Sequence, residues 1–220
     1  MQRFARWHIW LGWMVVLPLL MWTITGLIMV ARPIETVRGE GLTARPTAVD
    51  PDKLVFPKIG EPVNRVALAN QALGPVWIVT TASGQRMRYS ATQGFALSPV
   101  VRDEARQIAA ATYTGSGKLE NLAYIPSDAA PMDLRPSADS WQARYSDDTH
   151  LYIDAGTGEI LAVRTGWWRI YDFMWGLHIM DPATREKTHN PLVIASAVLS
   201  FAGVFLGALL LFRRRKTARR

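Results

Sequence analysis

Two stretches of 22 residues, 9–30 and 191–212, contain no charged side chain. At a helical rise of about 1.5 Å per residue each reaches about 33 Å. That is enough to cross a hydrocarbon core of about 30 Å with every backbone N–H and C=O bonded internally. The chain is therefore read as two transmembrane α-helices at its ends, with residues 31–190 held on one side of a bilayer.

The charges give that reading a direction. Arg3 and Arg6 precede the first run, and Arg213, Arg214, Arg215, Lys216, Arg219 and Arg220 follow the second. Eight of the 25 basic residues thus lie at the ends, while all 18 acidic residues lie in the middle, where the other 17 basic residues leave a net charge of −1. Basic flanks stay cytoplasmic. Residues 1–8 and the basic tail 213–220 are accordingly expected in the cytoplasm, and residues 31–190 in the periplasm of a bacterial inner membrane. The overall charge of +7 then serves orientation and contact with anionic lipid, and no nucleic-acid partner is expected. The first run exceeds the apolar core of a signal peptide, about 7–15 residues, and the MVARPIE after it offers no small-x-small cleavage site, so it is predicted to be retained. The absence of cysteine excludes disulfides, thiolate iron–sulfur clusters, covalent c-type haem and thiol catalysis.

Between the runs, the Pro- and polar-rich residues 31–60 are predicted to form an extended connector. Two modules follow, 61–99 and 100–164, each read as a helix and then antiparallel strands. In the first, EPVNRVALANQALG is the helix, PVWIVTT and QRMRYS are strands joined around Ser83-Gly84, and ATQGFALSPV is the ending. In the second, VRDEARQIAAATYT is the helix, KLENLAYI and WQARYS are strands, and HLYIDAGTGEILAVR is the ending. Residues 89–97 and 153–161 align as one repeated hairpin with Gly at its turn, the mark of an internal duplication. The fold class expected is an α+β extracytoplasmic domain of two tandem modules between two transmembrane helices. In the D-x-x-T-G-E turn, Asp154 is expected to cap its own backbone and Glu159 to be solvated, so the carboxylate pair is read as structural.

These motifs resemble a known family. The second module, with VRDEARQIAA, a strand pair and YIDAGTGEIL, is similar to a PepSY domain, and the first resembles a degenerate copy in which Ser90 replaces the aspartate. The opening WHIWLGW with TITG further on resembles PepSY-associated transmembrane proteins. Longer members with four spans include siderophore-linked ferric reductases with membrane haems held on histidines. This chain resembles half of such a protein.

Three of the four histidines adjoin the spans. His8 lies at the mouth of the first, on one face with Gly12, Leu19, Gly26 and Val30; it reads either as a ligand above a glycine groove or as a member of an aromatic belt with Trp7, Trp10 and Trp13. Residues 165–181 form a predicted interfacial amphipathic helix with Trp167, Tyr171, Met174, Trp175 and His178 on one face and Arg169, Asp172 and Gly176 on the other. Asn190 caps the second span, with Pro191 at its first helical position and His189 beside it. Two neutral imidazoles in an apolar pocket suit axial ligation of haem b, and they equally suit an ordinary interfacial pair. His150 is expected at the surface of the soluble domain.

The resemblance implies haem b on His8, His178 and His189. Two copies would rebuild a four-helix core, the two His8 meeting near the cytoplasmic face and His178 with His189 serving the outer face. It implies a transmembrane electron-transfer component linked to iron or siderophore reduction, working as a homodimer or in a larger membrane complex on a ferric chelate. No nucleotide-binding motif is present, so electrons come from elsewhere. The competing expectation is a non-enzymatic membrane protein that binds a peptide, protease or receptor, or acts as an assembly subunit.

Overall fold

A computed structural model describes residues 2–45, 47–135 and 138–217. The chain divides into two compact units, residues 1–33 with 170–220, and residues 34–169.

The first unit is built on α1 (Gln2–Met29) and α5 (Pro191–Thr217), both long and apolar enough to cross a membrane. α1 extends through the basic residues that precede the uncharged run. α5 begins as the sequence predicts: Asn190 Oδ1 accepts from the Val193 amide at 3.0 Å, satisfying one of the orphan donors of the first turn. The basic tail continues α5 to Thr217, but its side chains from residue 213 and residues 218–220 lie outside the described residues.

The helix of residues 165–181 is observed as α4 (Gly166–His178), and the unit boundary falls within it. The polar face of this helix is covered within the protein. Asp172 is 3% exposed and Gly176 is buried, because the turn that follows folds back over them. Arg185 Nη1 donates to Asp172 Oδ2 at 2.7 Å. A Cβ on Gly176 would come within 2.7 Å of Arg185 Cγ. Burial of a carboxylate is tolerable only with its cation beside it, and here the pair holds the turn to the helix.

In the second unit the connector is not extended throughout. It contains α2 (Ile34–Arg38) and short 3₁₀ turns at Glu40–Leu42 and Pro51–Lys53. Val37 is fully buried, and Thr165 Oγ1 donates to its carbonyl at 3.1 Å. Prolines set where the chain turns; the buried valine makes one turn helical.

Two four-stranded antiparallel meanders follow. The first comprises β1 (Val63–Gln71), β2 (Gly74–Thr81), β3 (Arg86–Ser90) and β4 (Ala96–Leu97). The second comprises β5 (Leu119–Ile125), β6 (Ser140–Tyr145), β7 (His150–Asp154) and β8 (Ile160–Arg164). α3 (Arg102–Thr112) packs Ala105, Ile108 and Ala109 against Leu122, Ala143, Leu151 and Ile153 of the second sheet.

The tandem helix-plus-strand expectation is corrected here, because EPVNRVALANQALG is no helix. Its core is β1, paired along β2 from Val63↔Thr81 to Gln71↔Gly74. Equivalent hydrogen bonds nevertheless recur in the two sheets, their partners 64 residues apart except for Val55 and Val100, which are 45 apart. Ser90 N donates to Phe95 O at 2.9 Å and Asp154 N to Glu159 O at 2.8 Å. Val55 N donates to Ala91 O and Val100 N to Ala155 O, while Trp77 Nε1 donates to Val55 O and Trp141 Nε1 to Val100 O. Val55 is thus the counterpart of Val100, and β1 of β5. Residues 56–62 then occupy the place of residues 101–118, too few for the 11-residue α3. The helix is missing from the first copy, and the β-branched run of β2 claims the preceding segment as a strand.

Candidate functional site

In the first unit, His8 is half-buried against α5. Its Nδ1 lies 3.1 Å from the Gly203 carbonyl oxygen, an atom that only accepts, so Nδ1 carries the proton and Nε2 keeps its lone pair. α5 admits the ring because Gly207 has no side chain: a Cβ there would stand 3.0 Å from His8 Cε1. From His8 an apolar groove of about 290 Å³ runs along α1 and α5, lined by Gly12, Val15, Leu19, Ser200 and Gly203. Ser200 is 7% exposed, and its Oγ has no hydrogen-bond partner among the described residues.

His178 ends α4. Its Nδ1 lies 2.8 Å from Thr25 Oγ1, and Thr25 donates its own proton to the Met21 carbonyl at 2.7 Å. The Trp22 carbonyl lies 3.3 Å from the same hydroxyl; with the hydroxyl proton on either backbone carbonyl, Thr25 Oγ1 accepts from His178 Nδ1–H, the tautomer in which Nε2 is the nitrogen without a proton. Trp22 Nε1 donates to the His178 carbonyl at 2.7 Å, fixing the backbone as Thr25 fixes the ring. Gly26 leaves room beside it, a Cβ there lying 3.9 Å from Cε1.

The three histidines are not drawn to one point. Thr25 stands 17 positions after His8 on α1, which separates the two imidazoles by about 25 Å along the helix. His189 is exposed and makes no polar contact among the described residues, although its neighbour Asn190 reaches back to the Ile179 carbonyl at 2.8 Å. Among the described residues no three His, Asp or Glu side chains cluster as a metal-ion set.

Sequence reasoning missed Thr25 and Trp22, whereas Gly207 was legible in the stripe Ser196, Ser200, Gly203 and Gly207 as part of a helix-contact face. The TITG motif contains Thr25 and marked the family. Its hydroxyl was not connected to a histidine 153 residues away, a distance no spacing rule spans.

In the second unit, His150 is not a surface residue. Its side chain is 14% exposed, and its Nδ1 meets Asp133 Oδ2 at 3.2 Å. Tyr152 donates to Asp133 Oδ1 at 2.6 Å, Gln142 donates to the Tyr152 hydroxyl at 2.6 Å, and Arg164 Nε donates to the Asp133 carbonyl at 2.7 Å. Burial pushes the Asp133 carboxyl up, but the hydrogen bonds from His150 and Tyr152, with the charges of His150 and Arg169, outweigh it and leave the group below the usual carboxylate range. Burial, then the neighbouring carboxylate, push the Tyr152 phenol above its ordinary value.

Asp154 caps its turn as expected, accepting at 2.8 Å from both Gly156 N and Thr157 N. Glu159 is not merely solvated. Arg86 of the first sheet bonds it and also reaches Asp154 at 3.2 Å, so the carboxylates join the two sheets.

A family model described as the PepSY-associated TM region matches residues 5–220. No curated protein and no solved structure matches the chain.

Proposed function

The chain belongs to the PepSY-associated transmembrane family, and from that membership and its two oriented imidazoles we propose a haem b protein of the bacterial inner membrane that carries electrons outward to a ferric chelate. The observation that supports it is a contact common to His8 and His178: each places Nδ1 against an oxygen of the protein, the Gly203 carbonyl or the Thr25 hydroxyl, which leaves Nε2 as the nitrogen for a metal. A histidine that binds iron through Nε2 needs this arrangement, because the hydrogen bond at the other nitrogen fixes the ring and raises its basicity.

Haem supplies one-electron exchange when bound. The chain's own residues position it. His8 and His178 would hold separate haems, one at each end of α1, and His189 would be the candidate second imidazole at the His178 end. The groove beside His8, at about 290 Å³, is smaller than most sites for a molecule of drug size, which run from about 300 to 1,000 Å³. A second copy closes it and contributes its own His8, giving the four-helix core. The electron comes from a quinol or a cytoplasmic reductant and reduces one ferric ion to ferrous outside.

The test is an absorption spectrum of the purified protein after expression with haem supplementation. A Soret band is expected, diminished by His8→Ala and by His178→Ala and abolished when both are combined. A wild-type protein without a Soret band overturns the proposal.

A further inference from the structure

In the second unit a cavity of about 900 Å³ lies between the free edges of the two sheets, against β1 on one side and β8 on the other. Gln71 and Gly158 meet where the edges converge: Gln71 Nε2 donates to Thr157 O at 2.8 Å, and a Cβ on Gly158 would stand 3.1 Å from Gln71 Oε1. Ile108 and Ala111 of α3 form an apolar floor.

The connector ties itself across the opening at three places. Gly39 sits on Val163 of β8, where a Cβ would meet Cγ1 at 3.1 Å. Ala44 N donates to Thr112 O at 2.7 Å at the end of α3, and the Thr47 carbonyl accepts from Asn70 of β1. The cleft is thus partly roofed, with an opening to solvent, and is sized for a small molecule.

Its charge selects the ligand. Three guanidinium groups, Arg38, Arg45 and Arg164, line it with two carboxylates, Glu40 and Glu159. Both carboxylates are committed within the protein, Glu40 to Arg38 at 3.9 Å and Glu159 to Arg86. Arg45 is exposed and makes no ion pair among the described residues. Arg164 is fixed by its bonds to the carbonyls of Asp133 and Val163 and by stacking 4.2 Å over the Trp168 ring. Such a chamber repels cations and favours a planar or apolar body that carries an anionic group.

We propose that this partly roofed cleft is a binding site for a small organic anion, whose carboxylate or phosphate is held by Arg45 and whose apolar body rests on Ile108 and Ala111. The inference is independent of haem. It rests on the second unit alone.

Fluorescein, a planar carboxylate, is the probe, and fluorescence anisotropy of the full chain in phosphatidylcholine nanodiscs is the measurement. Saturable binding is expected. It should weaken about tenfold or more in Arg45→Ala, the loss of one charge-assisted contact, and vanish in Ala111→Trp, which fills the floor. Arg65→Ala, an exposed cation of β1 outside the chamber, should leave it unchanged. Absence of saturable binding, equal weakening by Arg65→Ala, or binding unaffected by Arg45→Ala overturns the proposal. Because Arg45 lies on the exposed connector, its substitution tests the site even if Ala111→Trp fails to fold.

Discussion

His8 rests on Gly207 so closely that a Cβ on the glycine would stand 3.0 Å from Cε1 of the imidazole. The same ring donates to the carbonyl of Gly203, one turn earlier on α5. Two glycines of one helix therefore position a histidine of the other, one by supplying a carbonyl and one by being absent as a side chain.

Gly207→Val is expected to push His8 out of that position while leaving α5 helical, since valine suits an apolar span. Haem titration into the purified protein should show the His8 site lost and the His178 site kept. Retention of both sites in Gly207→Val would separate the glycine from haem binding.

Thr25→Val keeps the shape of the side chain and removes the oxygen that accepts from His178 Nδ1 at 2.8 Å. Loss of such a supporting partner weakens metal affinity by about 10–100-fold, and Thr25→Ser should restore it. The check is the affinity for haem in a His8→Ala background, where only the second site reports.

Arg88 is 3% exposed and makes a bidentate pair with Glu104, both contacts at 2.7 Å, while Nε and Nη2 donate to the Ser98 carbonyl. Arg88→Met leaves the part-exposed Glu104 and the Ser98 carbonyl without their donor and is expected to cost about 1–3 kcal/mol. Arg88→Lys should recover little, because an ammonium cannot form the fork. Thermal melting of the three proteins gives the comparison, with Arg88→Met/Glu104→Met expected to melt above Arg88→Met alone.

Asp133 has a lowered folded-state pKa, so its stabilisation is present above the unfolded carboxylate value of about 4 and is lost as the pH falls through the folded value. Asp133→Asn leaves Tyr152 and His150 with a weaker acceptor and should cost about 1–3 kcal/mol at pH 7. The variant should also lose less stability than the wild type between pH 6 and pH 3. Melting curves across that range decide it, and parallel profiles would rule out Asp133 as the titrating group.

The two spans, the cap of α5, α3 and the later strands were legible in the residues because each is a local rule: an uncharged run, a capping side chain, an apolar period, a glycine at a turn. The three juxtamembrane histidines were legible as candidates on the same footing. β1 was not. VNRVALAN has no strong period of its own, and only the neighbouring β2 and the shortness of residues 56–62 make it a strand. Nor was the packed face of α4 legible, since Asp172 reads as polar surface until Arg185 is seen to reach it.

By itself, then, the sequence determined that this is a two-span membrane protein with a duplicated β-structure between its spans, because hydrophobic length and turn chemistry are written in consecutive residues. Only the tertiary structure decided which oxygens face Nδ1 of His8 and of His178, that His150 is half-buried, and that a connector read as extended covers part of a cleft lined by arginines. Each of these depends on an atom far away in the chain: a carbonyl on the opposite helix, a threonine oxygen, an aspartate across a loop. Hydrogen bonding and burial act through space, and no spacing along the chain encodes them.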